Sequence, residues 1–254
     1  MLIIAGLGLY DEKDLSLREI EEAKSSDKIF IELYTSKWYG NFKNLEKILG
    51  KKVEVLERKD LEENFQKILE LAKNKKVILF VQGDALVQTT HSSLILEAKK
   101  QGTETKVIHN ASIISAIAET GLHPQKFGPY ITIPFLERTK GKLPESVYEV
   151  IKMNKARGLH TLCLLDVLAE ENRYMEPKEG LKILLEIEKK RKEGIISEEE
   201  EAVIFSKAGS EKPLIVFGKI KHLIKKEVEI PAVIIIPGIL HFTEKDFLLL
   251  YSEE

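Results

Sequence analysis

The stretch LIIAGLGLYDEKDLSLREIEEAKSSDKIFIELY, residues 2–34, decides the fold class. Its two ends are apolar and rich in β-branched residues, which is typical of strands, and the segment between them has the spacing of an amphipathic helix. Ser16 and Glu19 predict where that helix begins, because this pair forms a capping box that satisfies free backbone amides. A strand joined through a helix to a second strand is the repeating unit of a parallel sheet. We therefore predict an α/β fold.

The rest of the first half repeats this alternation. Gly50 and Gly102 predict two helix ends, and Asp60 predicts the start of the helix that precedes the fourth strand. We expect a mainly parallel N-terminal domain at residues 1–109. Its predicted strands are 2–9, 28–34, 52–57, 76–82 and 105–109.

Residues 110–254 are predicted to form a second α/β domain. Its strands at 202–208, 213–220 and 232–238 follow one another without a long helix between them, which predicts antiparallel pairs in a mixed sheet. The acidic run SEEEE, 197–201, is interpreted as a solvated helix start. With two α/β domains, we expect a ligand site in a cleft between them.

Composition limits the classes of protein to consider. Hydrophobic residues make up 43% and charged residues 31% of the 254 residues, as in globular proteins. The formal net charge of -2 gives no basic field, so neither nucleic acid nor a membrane is expected as a partner. No apolar run approaches the roughly 20 residues of a membrane span, and no basic segment precedes Leu2, so we expect a cytoplasmic protein. Cys163 lies in an apolar run and is interpreted as a buried structural thiol.

The six histidines do not predict a metal or hydrolytic site. No two of them are four residues apart, and the motifs of metalloproteases, phosphate-binding loops and serine hydrolases are absent. His91 and His109 lie near the mouth of the predicted cleft, and we interpret both as structural. No metal is expected, and no catalytic residue is assigned.

Three segments that follow strands are candidates for ligand binding. In GLGLYD, 6–11, the glycines allow a ligand to approach closely, but Asp11 stands where a dinucleotide motif needs a third glycine. In GDALV, 83–87, Asp84 is as well suited to capping the next segment as to binding a ligand. In HNASI, 109–113, the residues after the strand open a helix. The later segments LLD, KAGS and PAVIIIPGILH are individually typical of core or turn.

Seven motifs occur in one order over nearly the whole chain: GLGLYD, GDALVQTTH, HNASI, GLHPQKFG, ARGLHTLCLLD, KAGS and PGILH. Together they resemble the motifs of the archaeal diphthine synthases. This family belongs to the tetrapyrrole methylase-like, or class III, methyltransferases, whose two α/β domains hold S-adenosylmethionine in the cleft. The resemblance implies a substrate, the aminocarboxypropyl-histidine of translation elongation factor 2, whose amino group is methylated repeatedly to diphthine. It also implies a homodimer.

The resemblance also implies which residues contact the cofactor. Most are apolar or act through backbone groups, which suits an adenine ring and a sulfonium. Gln82 and Ala85 depart from the family, which commonly has proline there. A substrate that carries a carboxylate implies cationic residues at the entrance, and Lys207, Arg157 and Arg173 are candidates. The implied cofactor contacts are Leu9, Asp84, Val87, Ser112, Ile113, Leu165, Ala208 and Ala232.

Three alternatives stay open. The same fold serves methylases of tetrapyrroles and other small molecules. A non-catalytic module could bind an adenosyl ligand and dock on the translation machinery without turnover. An NAD-dependent oxidoreductase would depend on the glycines of GLGLYD and on Glu32.

Overall fold

A computed structural model describes residues 1–252 of the chain. The chain divides into two compact units, of which the first is Met1–Ala116 and the second begins at Ile117. The boundary that we predict from the sequence, after residue 109, falls a few residues before this division. No helix among the described residues is long and apolar enough to cross a membrane.

The first unit alternates strands and helices. Its strands are β1 (Leu2–Gly6), β2 (Lys28–Glu32), β3 (Glu54–Leu56), β4 (Val77–Val81) and β5 (Thr105–Ile108). Its helices are α1 (Leu17–Ser25), α2 (Phe42–Leu49), α3 (Arg58–Glu62), α4 (Gln66–Asn74), α5 (His91–Lys100) and α6 (Ile113–Ala116). The predicted capping box is present at the start of α1, where Ser16 accepts a hydrogen bond from the Glu19 amide and the Glu19 carboxylate accepts one from the Ser16 amide.

The sheet of the first unit is wholly parallel, with strand order β3-β2-β4-β1-β5. The prediction of a parallel sheet is confirmed. In the register of β1 and β4, Gly6 lies opposite Val81, and β5 flanks β1 on its other side. The carboxyl ends of β1, β4 and β5 therefore lie side by side, and the three segments GLGLYD, GDALV and HNASI leave the sheet at one edge.

Alternate residues of the strands build two apolar layers in this unit. Ile4 and Leu79 face a layer closed by α3, α4 and α5, whereas Ile3 and Ile78 face a layer closed by α1 and α2. Both faces of a parallel sheet are covered in this way, which explains the continuous apolar runs in the sequence.

The second unit contains a mixed sheet. Its strands are β6 (Ile131–Ile133), β7 (Thr161–Leu165), β8 (Val167–Leu168), β9 (Arg173–Tyr174), β10 (Glu201–Ser206), β11 (Leu214–Lys219) and β12 (Ala232–Ile236). Its helices are α7 (Glu145–Ala156), α8 (Pro177–Arg191), α9 (Ile220–Leu223) and α10 (Phe242–Leu249). The sheet order is β11-β10-β12-β7-β6, in which only β6 and β7 pair in parallel, while β8 and β9 form a separate ribbon. The predicted mixed pairing is confirmed.

Helices α7 and α8 cover the core of the second unit. Gly180 lets α8 approach the sheet closely, because a Cβ there would lie 2.9 Å from a methyl carbon of Leu165. Cys163 is fully buried in this core. Burial raises the pKa of its thiol to about 12, so it stays protonated and unreactive, as the sequence predicts.

Two local predictions are wrong. Asp60 does not begin a helix. The amide of Glu57 donates to the Asp60 carboxylate at 3.0 Å, so α3 starts earlier and a break separates it from α4. The run SEEEE is a turn rather than a helix start, because Glu201 already pairs with Lys219 as β10 begins.

Candidate functional site

Backbone hydrogen bonds between two glycines join the loop that follows β1 to the loop that follows β4. The amide of Gly8 donates to the Gly83 carbonyl at 3.1 Å, and the amide of Gly83 donates to the Gly8 carbonyl at 2.8 Å. Both residues have a positive φ, +79° and +74°, which favours glycine. The two segments that the sequence singles out separately, GLGLYD and GDALV, are thus one structural element.

Gly6 allows three segments to meet at the end of β1. A Cβ at this position would lie 2.5 Å from the Gly83 carbonyl oxygen and 2.6 Å from the Cβ of Asn110. No side chain fits at that distance from backbone, so the close approach of the loops after β1, β4 and β5 depends on this glycine.

Asp14 fixes the loop that carries Leu9. Its Oδ2 accepts hydrogen bonds from the amides of Leu9, at 2.9 Å, and Tyr10, at 2.6 Å. These bonds satisfy the two amides. No hydrogen bond among the described residues uses the Leu9 carbonyl. The loop therefore offers a backbone acceptor at the edge of the sheet.

Asp84 is buried, and its carboxylate is bonded within the first unit. Oδ1 accepts from the Leu86 amide at 3.0 Å, and Oδ2 accepts from the Asn110 amide at 3.1 Å and from His109 Nδ1 at 2.9 Å. The side chain thus caps its own loop and joins the end of β4 to the end of β5. Of the two roles that the sequence leaves open, these contacts describe capping.

Asn110 is the residue at this edge that sequence reasoning missed. Its Nδ2 donates to the Asp14 carbonyl at 3.0 Å and to Glu19 Oε2 at 3.0 Å. Burial raises the pKa of Glu19, although hydrogen bonds from Ser16 and Asn110 act in the opposite direction. The signal in the sequence was a polar residue directly after a buried strand. Its partners could not be predicted, because they lie more than 90 residues away in the chain.

Ser112, Ile113 and Val87 complete the proposed contacts in the first unit. Ser112 is 8% exposed and precedes α6, and its carbonyl accepts the Ala116 amide at 2.9 Å. Within residues 1–252, no described hydrogen bond uses the Ser112 hydroxyl or the amides of Val87 and Ile113. These groups lie on the loops after β4 and β5, beside the Gly8–Gly83 junction.

The three proposed contacts of the second unit lie at one end of its sheet. Leu165 ends β7 and Ala232 begins β12, its neighbour in the sheet. Ala232 lies opposite Ser206 at the end of β10, and the Lys207 amide donates to the Pro231 carbonyl at 2.8 Å, which places Ala208 next to the same edge. The structure therefore brings together residues separated by up to 67 positions (232 − 165).

Two of the three candidate cations have carboxylate partners. Lys207 pairs with Glu229 at 2.9 Å. Arg173 pairs with Glu137 at 2.6 Å and with Glu179 at 3.0 Å. Arg157 is exposed at the end of α7.

Glu32 does not offer its carboxylate to a nucleotide ribose. It is fully buried, and its oxygens accept hydrogen bonds from the amides of Tyr34 and Thr35 and from the Thr35 hydroxyl, at 3.1, 3.3 and 2.8 Å. Desolvation raises its pKa against these bonds. The acidic residue on which an NAD site would depend is thus committed to groups of its own unit, among them the backbone of Gln82.

Comparison with known proteins identifies the family. The family model described as Tetrapyrrole (Corrin/Porphyrin) Methylases matches residues 1–224. The diphthine synthase of Methanocaldococcus jannaschii is 50% identical over 252 residues, which is 98% of this chain and 97% of that protein. The diphthine synthase of Methanococcus maripaludis strain C5 is 46% identical over 250 residues, 98% of this chain and 97% of that protein.

A comparison with a solved structure leads to the same family. A crystal structure of diphthine synthase superposes with a TM-score of 0.89 at 33% identity, covering 99% of this chain and 96% of that one. The resemblance drawn from the seven motifs is confirmed, as are the fold and the cofactor class that it implies. The chain therefore belongs to the tetrapyrrole (corrin/porphyrin) methylases and, within them, to the diphthine synthases, and its activity is S-adenosylmethionine-dependent methyl transfer.

Proposed function

We propose that this protein methylates the amino group of the aminocarboxypropyl-histidine on translation elongation factor 2, repeatedly, to give diphthine. The observation that carries the proposal is near full-length similarity, at 50% identity, to a protein named diphthine synthase. Similarity that covers both chains almost entirely supports a shared substrate more strongly than a shared fold does, since one fold serves many reactions.

The strand ends of the first unit fit an adenosyl ligand. A Cβ built on Gly83 would be in ordinary van der Waals contact with the Cβ of Ser112, at 3.7 Å, so the GDALV loop and the residue before α6 lie next to each other. Among the described residues, the groups there without a hydrogen-bond partner are a hydroxyl, two amides and the Leu9 carbonyl, which are uncharged. Such groups suit the hydrogen-bonding edge of adenine and the ribose hydroxyls.

We assign S-adenosylmethionine to the eight residues named from the motifs. In the first unit, Leu9, Val87, Ser112 and Ile113 are proposed to contact it directly, while Asp84 holds the loop that presents Val87. When bound, the cofactor would supply an activated methyl group to the neutral amine, with the electron pair of the broken carbon–sulfur bond left on sulfur and the amine proton released to water. The protein therefore needs no nucleophile of its own, and its residues act by binding and alignment.

Leu165, Ala208 and Ala232 are the proposed contacts of the second unit. Their shared sheet end supports a common role. Ala208 is 8% exposed, so a larger side chain at this position has little room. Ala208→Leu is accordingly expected to weaken cofactor binding more than Ala118→Leu, a change at an exposed alanine of the same unit.

We also propose a homodimer in solution, supported by apolar residues on and beside α10. Ile239, Phe242 and Leu250 are 73%, 70% and 75% exposed, and a second copy of the chain would cover such side chains if it packed on α10. Light scattering coupled to size exclusion tests this. A dimer that Phe242→Asp converts to a monomer agrees with the proposal, and a wild-type monomer contradicts it.

Intact-mass spectrometry tests the substrate. Elongation factor 2 that carries the aminocarboxypropyl-histidine, incubated with the protein and S-adenosylmethionine, should gain the mass of successive methyl groups. The same factor with unmodified histidine should gain none. An unchanged mass of the modified factor, together with methylation of a tetrapyrrole, would assign the protein to the small-molecule methylases instead.

A further inference from the structure

The segment 33–41, between β2 and α2, is a loop of unusual construction at the carboxyl edge of the first sheet. We call it the 33–41 loop. Its start is fixed by the buried Glu32 carboxylate, which binds the amides of Tyr34 and Thr35. Burial of this carboxylate, which raises its pKa, is compensated by the hydrogen bonds that it accepts from the loop, so the loop conformation and the buried charge depend on each other.

The 33–41 loop is tied to the loop that carries Leu9. The Tyr39 amide donates to the Tyr10 carbonyl at 3.0 Å, and the two rings stack with their centroids 4.8 Å apart. Glu12 accepts the Asn41 amide at 2.8 Å. Although burial opposes it, this bond and others lower the pKa of Glu12, so the charged form is the bound one.

A second tie joins the 33–41 loop to the GDALV loop. Gln82, which is 5% exposed, donates from Nε2 to the Lys37 carbonyl at 2.8 Å. This residue is one of the two departures from the family pattern, and proline could not make the bond. The 33–41 loop is therefore braced against both loops that we assign to the cofactor.

Three polar atoms in and around the 33–41 loop are buried without a hydrogen-bond partner among the described residues. They are the Gln82 Oε1, the Trp38 Nε1 and the Tyr34 hydroxyl. Each such atom lowers stability by about 1–3 kcal/mol relative to a bonded one. Concentrated in one braced loop, they indicate a segment shaped for binding rather than for stability.

The chemistry on this loop matches one part of the proposed substrate. The Tyr10–Tyr39 pair offers aromatic surface, and the Lys37 ammonium lies over the Tyr39 ring, 5.0 Å from its centroid. An imidazole ring packs on aromatic side chains, and a carboxylate pairs with an ammonium. The aminocarboxypropyl-histidine contains both groups.

We infer that the 33–41 loop and Tyr10 form the subsite for the methyl acceptor, with Lys37 binding the substrate carboxylate and the Tyr10–Tyr39 pair contacting the imidazole. This inference rests on the proposed function, since it names the part of the substrate that the loop binds. Tyr10 is the neighbour of Leu9, a proposed cofactor contact, so acceptor and donor meet at one strand end. The subsite determines specificity and takes no part in the chemical step.

Steady-state kinetics with matched variants tests this assignment. Lys37→Met and Tyr39→Ala are expected to raise the KM for the modified elongation factor about tenfold each, which corresponds to about 1.4 kcal/mol. Their calorimetric Kd for S-adenosylhomocysteine should stay within a factor of two of the wild-type value. Lys47→Met, on the neighbouring helix, and Tyr130→Ala, an exposed tyrosine of the second unit, serve as controls and should leave both constants unchanged.

The outcomes distinguish a failure of the proposed subsite from a failure of the proposed function. A Lys37→Met variant with the KM of Lys47→Met overturns the inference while leaving the proposed function intact. Recovery of KM in Lys37→Arg, which keeps the charge, supports it and does so even if Tyr39→Ala fails to fold. A wild-type protein that methylates no form of elongation factor 2 overturns the proposed function and the subsite together.

Discussion

The side chain of Asn110 donates a hydrogen bond of 3.0 Å to the carboxylate of Glu19, joining the residue after β5 to the capping box of α1. The same nitrogen reaches the Asp14 carbonyl, and the Asn110 backbone amide reaches Asp84. One residue thus connects the loop after β1, the loop after β4 and the start of α1. The edge that we assign to the cofactor is positioned by this buried polar network.

Replacing Asn110 by alanine should weaken both the fold and cofactor binding. The change leaves the Glu19 carboxylate buried with one donor fewer, at a cost of about 1–3 kcal/mol in the free energy of unfolding. We expect urea denaturation to show this loss and calorimetry to show a higher Kd for S-adenosylhomocysteine. Asn64→Ala, in the exposed loop between α3 and α4, is the control. Equal behaviour of the two variants would show that the network does not position the site.

Gly6→Ala should abolish cofactor binding. The added methyl would lie 2.5 Å from the Gly83 carbonyl oxygen, so β1 and the GDALV loop must separate. Gly102→Ala is a stringent control, because no atom lies within 4 Å of a Cβ there and only the positive φ opposes it. Thermal shift with S-adenosylhomocysteine distinguishes them. The Gly102 variant should retain the ligand-induced rise in Tm, and a similar rise for Gly6→Ala would contradict the close approach.

Glu244 should stabilise the second unit in a pH-dependent way. Burial alone would raise the pKa of this fully buried carboxyl, but hydrogen bonds from Lys126, His123, His241 and His160 lower it to about 2. Because the pKa lies below its ordinary value of 4.5, the stabilisation is complete above pH 4.5 and disappears as the pH falls towards 2. The shift corresponds to about 3 kcal/mol at neutral pH.

The variant Glu244→Gln measures this contribution. Urea denaturation at pH 7 should show a free energy of unfolding lower than that of the wild type by about 3 kcal/mol, and the gap should narrow below pH 4.5. His160 bonds to the same carboxylate, yet burial lowers its pKa, so the ion pair with Lys126 carries the charge interaction. A gap that is constant from pH 7 to pH 3 would argue against the lowered pKa.

His91 should make the fold sensitive to mild acid. Burial lowers its pKa to about 4, and neither ring nitrogen has a partner among the described residues. In the folded state His91 therefore binds a proton only at a lower pH than in the unfolded state, where its pKa is about 6.5. The contribution of neutral His91 to the free energy of unfolding is complete above pH 6.5 and is lost between pH 6.5 and 4. His91→Met should flatten this part of the stability profile, whereas His222→Met, at an exposed position, should not. Parallel profiles for wild type and His91→Met would contradict the burial effect.

Local patterns in the sequence predict most of the strands and helices, because each buried strand of a parallel sheet is a short apolar run between polar turns. They also identify the capping box at Ser16 and Glu19 correctly. The true start of α3 was missed because Asp60 is itself a residue that commonly caps helices, whereas in the structure Glu57 is the cap and Asp60, three residues later, accepts its amide.

Only part of the candidate site could be predicted from the sequence. The motifs locate the segments GLGLYD, GDALV and HNASI, but not the bonds that join them. Gly8 and Gly83 are far apart in the chain, and so are Asn110 and Glu19, so their contacts follow from strand order rather than from local pattern. Motif resemblance names Asp84 as a ligand contact, while its three partners within the chain describe a loop anchor.

A crystal structure with S-adenosylhomocysteine bound tests the central claim most directly, namely that the ends of β1, β4 and β5 hold the adenosyl cofactor. We predict electron density for the ligand against Leu9, Val87 and Ser112, with the Ser112 hydroxyl or the Ile113 amide hydrogen-bonded to it. Density for the ligand on a surface remote from these residues, with none beside Leu9, Val87 and Ser112, would contradict the account.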